Sequence, residues 1–268
     1  MTVGGSLVRR GLMLVNRLER DRDVPASVQQ ERVLKALLKQ AKHTSFGQAY
    51  QFDRLLSQHN PIAAFQDTVA VHSYGQLFDQ WWKRALEGEA NVTWPGQVKY
   101  FALSSGTSGA TTKYIPVTTA MQRAMGINAL RMFACLPKYN VASEIYFKEW
   151  MMVGGSAQLQ NLGHCYAGDL SGINASRPPA WIKRFYRPGT ALAQIADWDE
   201  RLDTIAKNAW KWDVGIMTGV PSWVQLTLER IMEFYGLDSI HDLWPNLSVY
   251  VSGGIAFEPY RKSLEALF

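Results

Sequence analysis

Val98-Lys99-Tyr100-Phe101-Ala102-Leu103, then Ser104-Ser105-Gly106-Thr107-Ser108-Gly109, then Lys113-Tyr114-Ile115-Pro116-Val117 is the stretch on which the reading of this chain turns. The first and third segments are rich in β-formers and predict two short strands, 98–104 and 113–117, joined by a loop. In that loop the hydroxyls of Ser104, Ser105, Thr107 and Ser108 alternate with Gly106 and Gly109, where no Cβ keeps a ligand away. Successive backbone N–H groups in such a turn form an anion-binding concavity, and Lys113 adds a point charge. The composition is that of a phosphate cradle. It is not a Walker-type loop, which carries its lysine directly after the last glycine and opens a helix. Here Ala110-Thr111-Thr112 separate Gly109 from Lys113, and the next helix begins only near Thr118-Thr119. A Ser/Gly-rich hairpin loop without a ligand is the alternative reading.

Upstream, the pattern is helical. Arg9 to Asp21 reads as an amphipathic helix. Ser27 is placed to cap a second helix through Val33, Leu34, Leu37 and Leu38, ended by Thr44-Ser45-Phe46-Gly47. A third is predicted from Tyr74 to about Leu86, with Leu77, Phe78, Trp81 and Trp82 inward. Downstream, a helix over 119–135 offers Met121, Met125, Leu130 and Met132 for burial. Ile145-Tyr146-Phe147 and Trp150-Met151-Met152-Val153 read as strands, and Gly168-Asp169-Leu170-Ser171-Gly172 as a turn. A second α/β unit begins near Leu202: a helix through Ile205 and Trp210, a strand at Val214-Gly215-Ile216-Met217, and a helix opened by Pro221 and closed at Gly236. The strand Leu247-Ser248-Val249-Tyr250-Val251 then ends in Ser252-Gly253-Gly254.

Strands alternating with helices predict an α/β fold with a largely parallel sheet flanked by helices, behind a set of N-terminal helices. The expected division is an N-terminal helical segment over 1–95 and an α/β nucleotide-binding domain over 96–268. Ligands of such sheets bind past the carboxyl ends of strands. The loop 104–109 and the turns at 218–223 and 252–254 all fall at strand ends, so they are candidates for one crevice.

With 47% hydrophobic residues, the 268-residue chain can bury a sizeable core. Its net charge of +5 is scattered. The densest basic group, Arg177, Lys183, Arg184 and Arg187, is interleaved with prolines and reads as a solvated rim rather than a nucleic-acid patch. Cys135 and Cys165 lack metal-ligand spacing and suggest a reducing compartment, and the five histidines form no ligand pairs, so no metal site is proposed within the chain. No apolar run approaches the ~18 residues of a membrane span, and the N-terminal apolar stretch is too short for a signal peptide. A cytoplasmic protein is expected. The chain stops on Ala266-Leu267-Phe268 in mid-helix without a cap, which reads as a truncated fragment.

Ser104-Ser105-Gly106-Thr107-Ser108-Gly109 followed by Lys113-Tyr114-Ile115-Pro116 resembles the first nucleotide motif of the acyl-adenylate-forming enzymes. More narrowly it resembles the auxin-responsive (Gretchen Hagen) acyl-acid amido synthetase family and its bacterial relatives. The family pattern has a glycine and a lysine soon after the second glycine, where this chain has Ala110-Thr111-Thr112. Thr44-Ser45-Phe46-Gly47, Gly219-Val220-Pro221-Ser222-Trp223 and Val251-Ser252-Gly253-Gly254 extend the resemblance over most of the chain.

The resemblance implies an ATP-dependent ligase that activates a small carboxylic acid as its acyl adenylate and passes it to an amine, typically an amino acid. It implies that Ser104, Ser105, Gly106, Thr107, Ser108, Gly109 and Lys113 hold phosphates and that Ser252, Gly253 and Gly254 line the adenine. It implies that Thr218, Val220 and Trp223 border the acyl pocket, although a tryptophan of the core is an equal reading of Trp223. Mg2+ accompanies ATP in the family, and its ligands and the catalytic residues are expected beyond Phe268. Two alternatives stand beside this: a ligase of the same superfamily that passes the acyl group to CoA, and a non-catalytic nucleotide-binding or scaffold protein.

Overall fold

A computed structural model describes residues 3–20, 24–104, 112–178 and 182–268. Its strands, in chain order, are β1 (Tyr100–Ser104), β2 (Lys113–Val117), β3 (Glu149–Val153), β4 (Gln160–Asn161), β5 (Tyr166–Gly168), β6 (Tyr186–Arg187), β7 (Val214–Gly219) and β8 (Val249–Ser252). They form two four-stranded sheets, ordered β2-β1-β5-β4 and β6-β3-β7-β8. The second sheet is wholly parallel and flanked by helices, as the alternating pattern predicts. The first is mixed: β1 pairs antiparallel with β2 and parallel with β5, and β4 runs antiparallel to β5. The chain divides into two compact units. One holds residues 20–124 and 160–168 with the mixed sheet; the other holds 1–19, 125–159 and 169–268 with the parallel sheet.

The parallel sheet is buried on both faces, as such sheets require. Side chains alternate across each strand. Met151 of β3 and Met217 of β7 join Val224, Leu228, Ile231, Trp244 and Leu264 on one face. Trp150 and Ile216, their neighbours in sequence, join Ile145, Tyr146 and Ile182 on the other, with Val8 and Leu12 of the helix Val3–Arg20 packed against them. Trp244 is fully buried, and its indole N–H donates to the Ala209 carbonyl at 3.0 Å, so no polar group is stranded there. Pro221 opens the helix Pro221–Tyr235, and Gly236 closes it in the left-handed region. The other unit has two centres of its own: Leu38, Ala41, Phe52 and Leu55 among its helices, and Val98, Phe101, Cys165 and Ala167 at its sheet.

Several local expectations give way. Ile145-Tyr146-Phe147 lies in a 3-10 turn, Ser143–Phe147, because Ile145 and Tyr146 both pack into one core and cannot alternate across a pleat. The helix Ala26–Ala41 starts one residue before Ser27, with Pro25 in the N-cap position, so Ser27 caps nothing. Thr44 serves two helices: its hydroxyl donates to the Ala41 carbonyl at 2.6 Å at the end of the first, and it accepts the Gly47 N–H to cap a new one, Ser45–Ala49. In the helix Thr119–Cys135, Met121, Leu130 and Met132 are exposed, because Phe133 and Ala134 supply the packed face. The segment 168–172 is a helix start rather than a turn: Asp169 caps Leu170–Ser176. The helix from Tyr74 holds to Leu86 with a π turn at Phe78–Trp82. The unit expected to begin near Leu202 does not start a sheet of its own, because β3 and β6, which precede it, share one sheet with β7 and β8. Arg187 is no solvated rim residue; it forms a half-buried ion pair with Glu149.

Candidate functional site

The parallel sheet carries a cavity of about 260 Å³ at the carboxyl ends of its strands. That is where ligands of open parallel sheets bind. Four strand exits build its wall. Met152 to Gly155 leave β3, Pro188 follows β6, Thr218 to Val220 leave β7, and Val251 to Gly253 leave β8. Helices close it with Ser171 and Ala175, with Trp198, Arg201, Leu202 and Ile205, and with Trp223. Those four residues of the helix Trp198–Asn208 fall at spacings of three, one and three, a single helical face.

The lining is mostly apolar. The Trp198 and Trp223 rings meet with centroids 5.4 Å apart. The Arg201 guanidinium carbon stands 4.9 Å over the Trp198 ring, a cation–π contact. The Thr218 hydroxyl accepts from the Trp150 indole N–H, and the Tyr250 hydroxyl donates to the Gly219 carbonyl at 3.1 Å, which fixes the β7 exit. Gly254 has φ +88°, and a Cβ there would stand 3.0 Å from Val220, so glycine is needed for the β8 exit to pass the β7 exit. Burial pushes the Tyr186 phenol up to about 12 and keeps it neutral at physiological pH; Arg201 acts weakly in the opposite sense. Burial lowers the Arg201 guanidinium, and Tyr186 and Asp169 partly offset that. Among the described residues, the lining includes no carboxylate or imidazole. The lining thus offers, among the described residues, one cation, Arg201, and no acid–base pair.

Thr218, Val220, Trp223, Ser252 and Gly253 all line this cavity, and Gly254 is not among its lining residues. Ser104 ends β1 and Lys113 begins β2, directly opposite each other in the antiparallel pair. Both belong to the mixed-sheet unit. The Lys113 ammonium stands 5.5 Å over the Tyr74 ring, whose hydroxyl accepts the Tyr114 N–H. Ser105, Gly106, Thr107, Ser108 and Gly109 lie outside the described residues. The segment 168–172, which the sequence offers as a possible pocket wall, contributes Ser171, whereas Tyr186, Trp198 and Arg201 carry no motif that marks them as site residues. The signal for Arg201 was its place in an apolar helical row with Trp198, Leu202 and Ile205.

Residues 14–153 match the GH3 family N-terminal domain. This chain belongs to the GH3 family. No curated protein matches it. Among solved structures it is similar to "GH3.15 acyl acid amido synthetase", with 17% identity and a TM-score of 0.61 over 89% of this chain and 40% of that one. It is similar also to "AtGH3.15 acyl acid amido synthetase in complex with 2,4-DB", with 17% identity and a TM-score of 0.60 over 89% and 39% of the two chains. The chain thus spans about two fifths of the length of these structures, and at this identity the likeness is one of fold. Among the described residues no helix is long and apolar enough to cross a membrane, and no group of three His, Cys, Asp or Glu side chains is placed to hold a metal ion.

Proposed function

We propose that this chain carries the ATP- and acid-binding parts of an acyl acid amido synthetase. The observation that carries the reading is the apolar cavity at the carboxyl ends of four parallel strands, in a chain of the GH3 family. The 2,4-DB complex of a protein with the same fold supports an acid as the ligand. Thr218, Val220 and Trp223 hold the apolar body of the acid, and Ser252, Gly253 and Gly254 border the adenine. The hydroxyls of Ser104, Ser105, Thr107 and Ser108, the amides of Gly106 and Gly109, and Lys113 hold the phosphates.

An oxygen of the carboxylate bonds to the α-phosphorus of ATP and pyrophosphate leaves. The nitrogen of an amine, an amino acid in this reading, then attacks the acyl carbon. AMP leaves and the nitrogen loses its proton to solvent. The contribution of these residues is position and charge stabilisation, the main currency of phosphoryl chemistry. Magnesium neutralises phosphate charge when bound with ATP, and no residue described here is assigned to it.

The deciding measurement is acid-dependent exchange of pyrophosphate into ATP by the natural gene product with magnesium. Exchange with at least one aryl or alkyl acid is expected, and conjugation products with amino acids rather than CoA thioesters. Absence of exchange from folded protein across a broad acid panel overturns the reading; thioester products reassign the acceptor.

A further inference from the structure

Arg201 is 6% exposed, on the wall of the cavity. A buried cation is costly unless it is paired, and no carboxylate among the described residues forms an ion pair with this one. Among the described residues none lies within ion-pair distance of it. Asp169, whose charge acts on Arg201, forms no ion pair with it, and its Oδ1 accepts the Ser171 N–H at 2.7 Å, the Ser171 hydroxyl and the Gly172 N–H. Tyr186 is neutral. A guanidinium has five N–H donors in a rigid fork. Among the described residues, the Arg201 side chain spends one of them, at a long 3.4 Å, on the Ile195 carbonyl. Its guanidinium carbon stands over the Trp198 ring. An unpaired buried cation with spare donors, in the wall of an otherwise apolar cavity, is arranged for an anion that arrives with the ligand.

We propose that Arg201 is the anion anchor of this cavity, seating the carboxylate of a small monocarboxylic acid while the apolar body of the acid packs on Val153, Leu202, Ile205 and Trp223. The volume of about 260 Å³ lies just under the ~300–1,000 Å³ of most ligand sites, which favours a compact aryl or medium-chain acid. This rests on the reading of the cavity as the acid site and adds the residue that selects for charge.

The test is calorimetric titration with phenylacetate, 4-phenylbutanoate and octanoate, each beside its own primary amide. The amide keeps the shape and removes the charge. Each acid that binds the wild-type protein is expected to bind about tenfold or more tighter than its amide, the scale of a charge-assisted pair. Arg201→Met should abolish that preference while leaving amide affinity within about threefold, and Arg201→Lys should restore part of it, because Lys keeps the charge and loses the fork. If Arg201→Met fails to fold, the wild-type ratio of acid to amide decides alone. Equal binding of acid and amide overturns the role of Arg201 and leaves the acid site standing. A preference shown only by a dicarboxylate over its half-amide also overturns it, because the anchored group is then a second acid. No binding of either form overturns the acid site itself, and Arg201 with it.

Discussion

A glycine and a loop of hydroxyls set the terms at the scale of single residues. Gly172, in the helix that brings Ser171 to the cavity, lies so close to the chain leaving β3 that a Cβ would stand 2.0 Å from the Ser156 carbonyl oxygen. Backbone cannot swing aside as a side chain can. Gly172→Ala should therefore destabilise the protein by about 1–3 kcal/mol or more, read as a lower denaturant midpoint at unchanged slope. In the phosphate cradle the proposed contacts are hydroxyls donating to an anion. Ser105→Ala combined with Thr107→Ala should weaken ATP binding by about 1–3 kcal/mol, the range of hydrogen bonds to charged groups. Unchanged nucleotide affinity with the fold intact would remove the loop from the site. The hydroxyls and glycines of that loop could be read directly from sequence, because their chemistry is local. Arg201 left only the trace of its place in an apolar helical row, and its burial among Trp198, Tyr186 and the strand exits is what gives that place meaning.

Elements are positioned by their ends. The helix Trp198–Asn208 carries four cavity residues and is capped by Asp197, whose carboxylate accepts the Glu200 N–H at 2.8 Å. Asp199 and Glu200 in its first turn face the positive end of the helix dipole. Asp197→Ala should cost about 1 kcal/mol of stability, measured by denaturant unfolding, and should weaken acid binding less than Arg201→Met does. No loss of stability would mean that tertiary packing alone fixes the start of this helix. Helices with strong end signals were legible: Thr119–Cys135 and Pro221–Tyr235 stand within a residue or so of where sequence puts them. Short apolar runs were not, as Ile145-Tyr146-Phe147 demonstrates. Three β-formers satisfy a strand and a 3-10 turn equally well, and the choice falls to the core they meet.

Across the whole molecule, ligand binding and stability are linked. An acid that binds only the folded protein adds about 2.7 kcal/mol of stability at a free concentration one hundred times its Kd. Hydrogen exchange should place the largest gain in protection at β3, β7 and β8, whose exits wall the cavity, and less in the helix Ala26–Ala41 of the other unit. A gain confined to that helix would move the acid site off the parallel sheet. By itself the sequence determined the β1–β2 hairpin, the alternation that makes the second sheet parallel, the family, and the strand-end turns at 218–223 and 252–254. These depend on periodicity, turn chemistry and motif spacing within a few residues. Only the tertiary structure decided that β1 and β2 belong to a mixed sheet apart from the parallel one, that β3 and β6 complete the sheet of β7 and β8, and that residues from four strand exits and four helices enclose one cavity around an arginine without an ion pair among the described residues. Those outcomes depend on which distant segments bury one another, a free energy shared among surfaces far apart in the chain and carried by no single stretch of it.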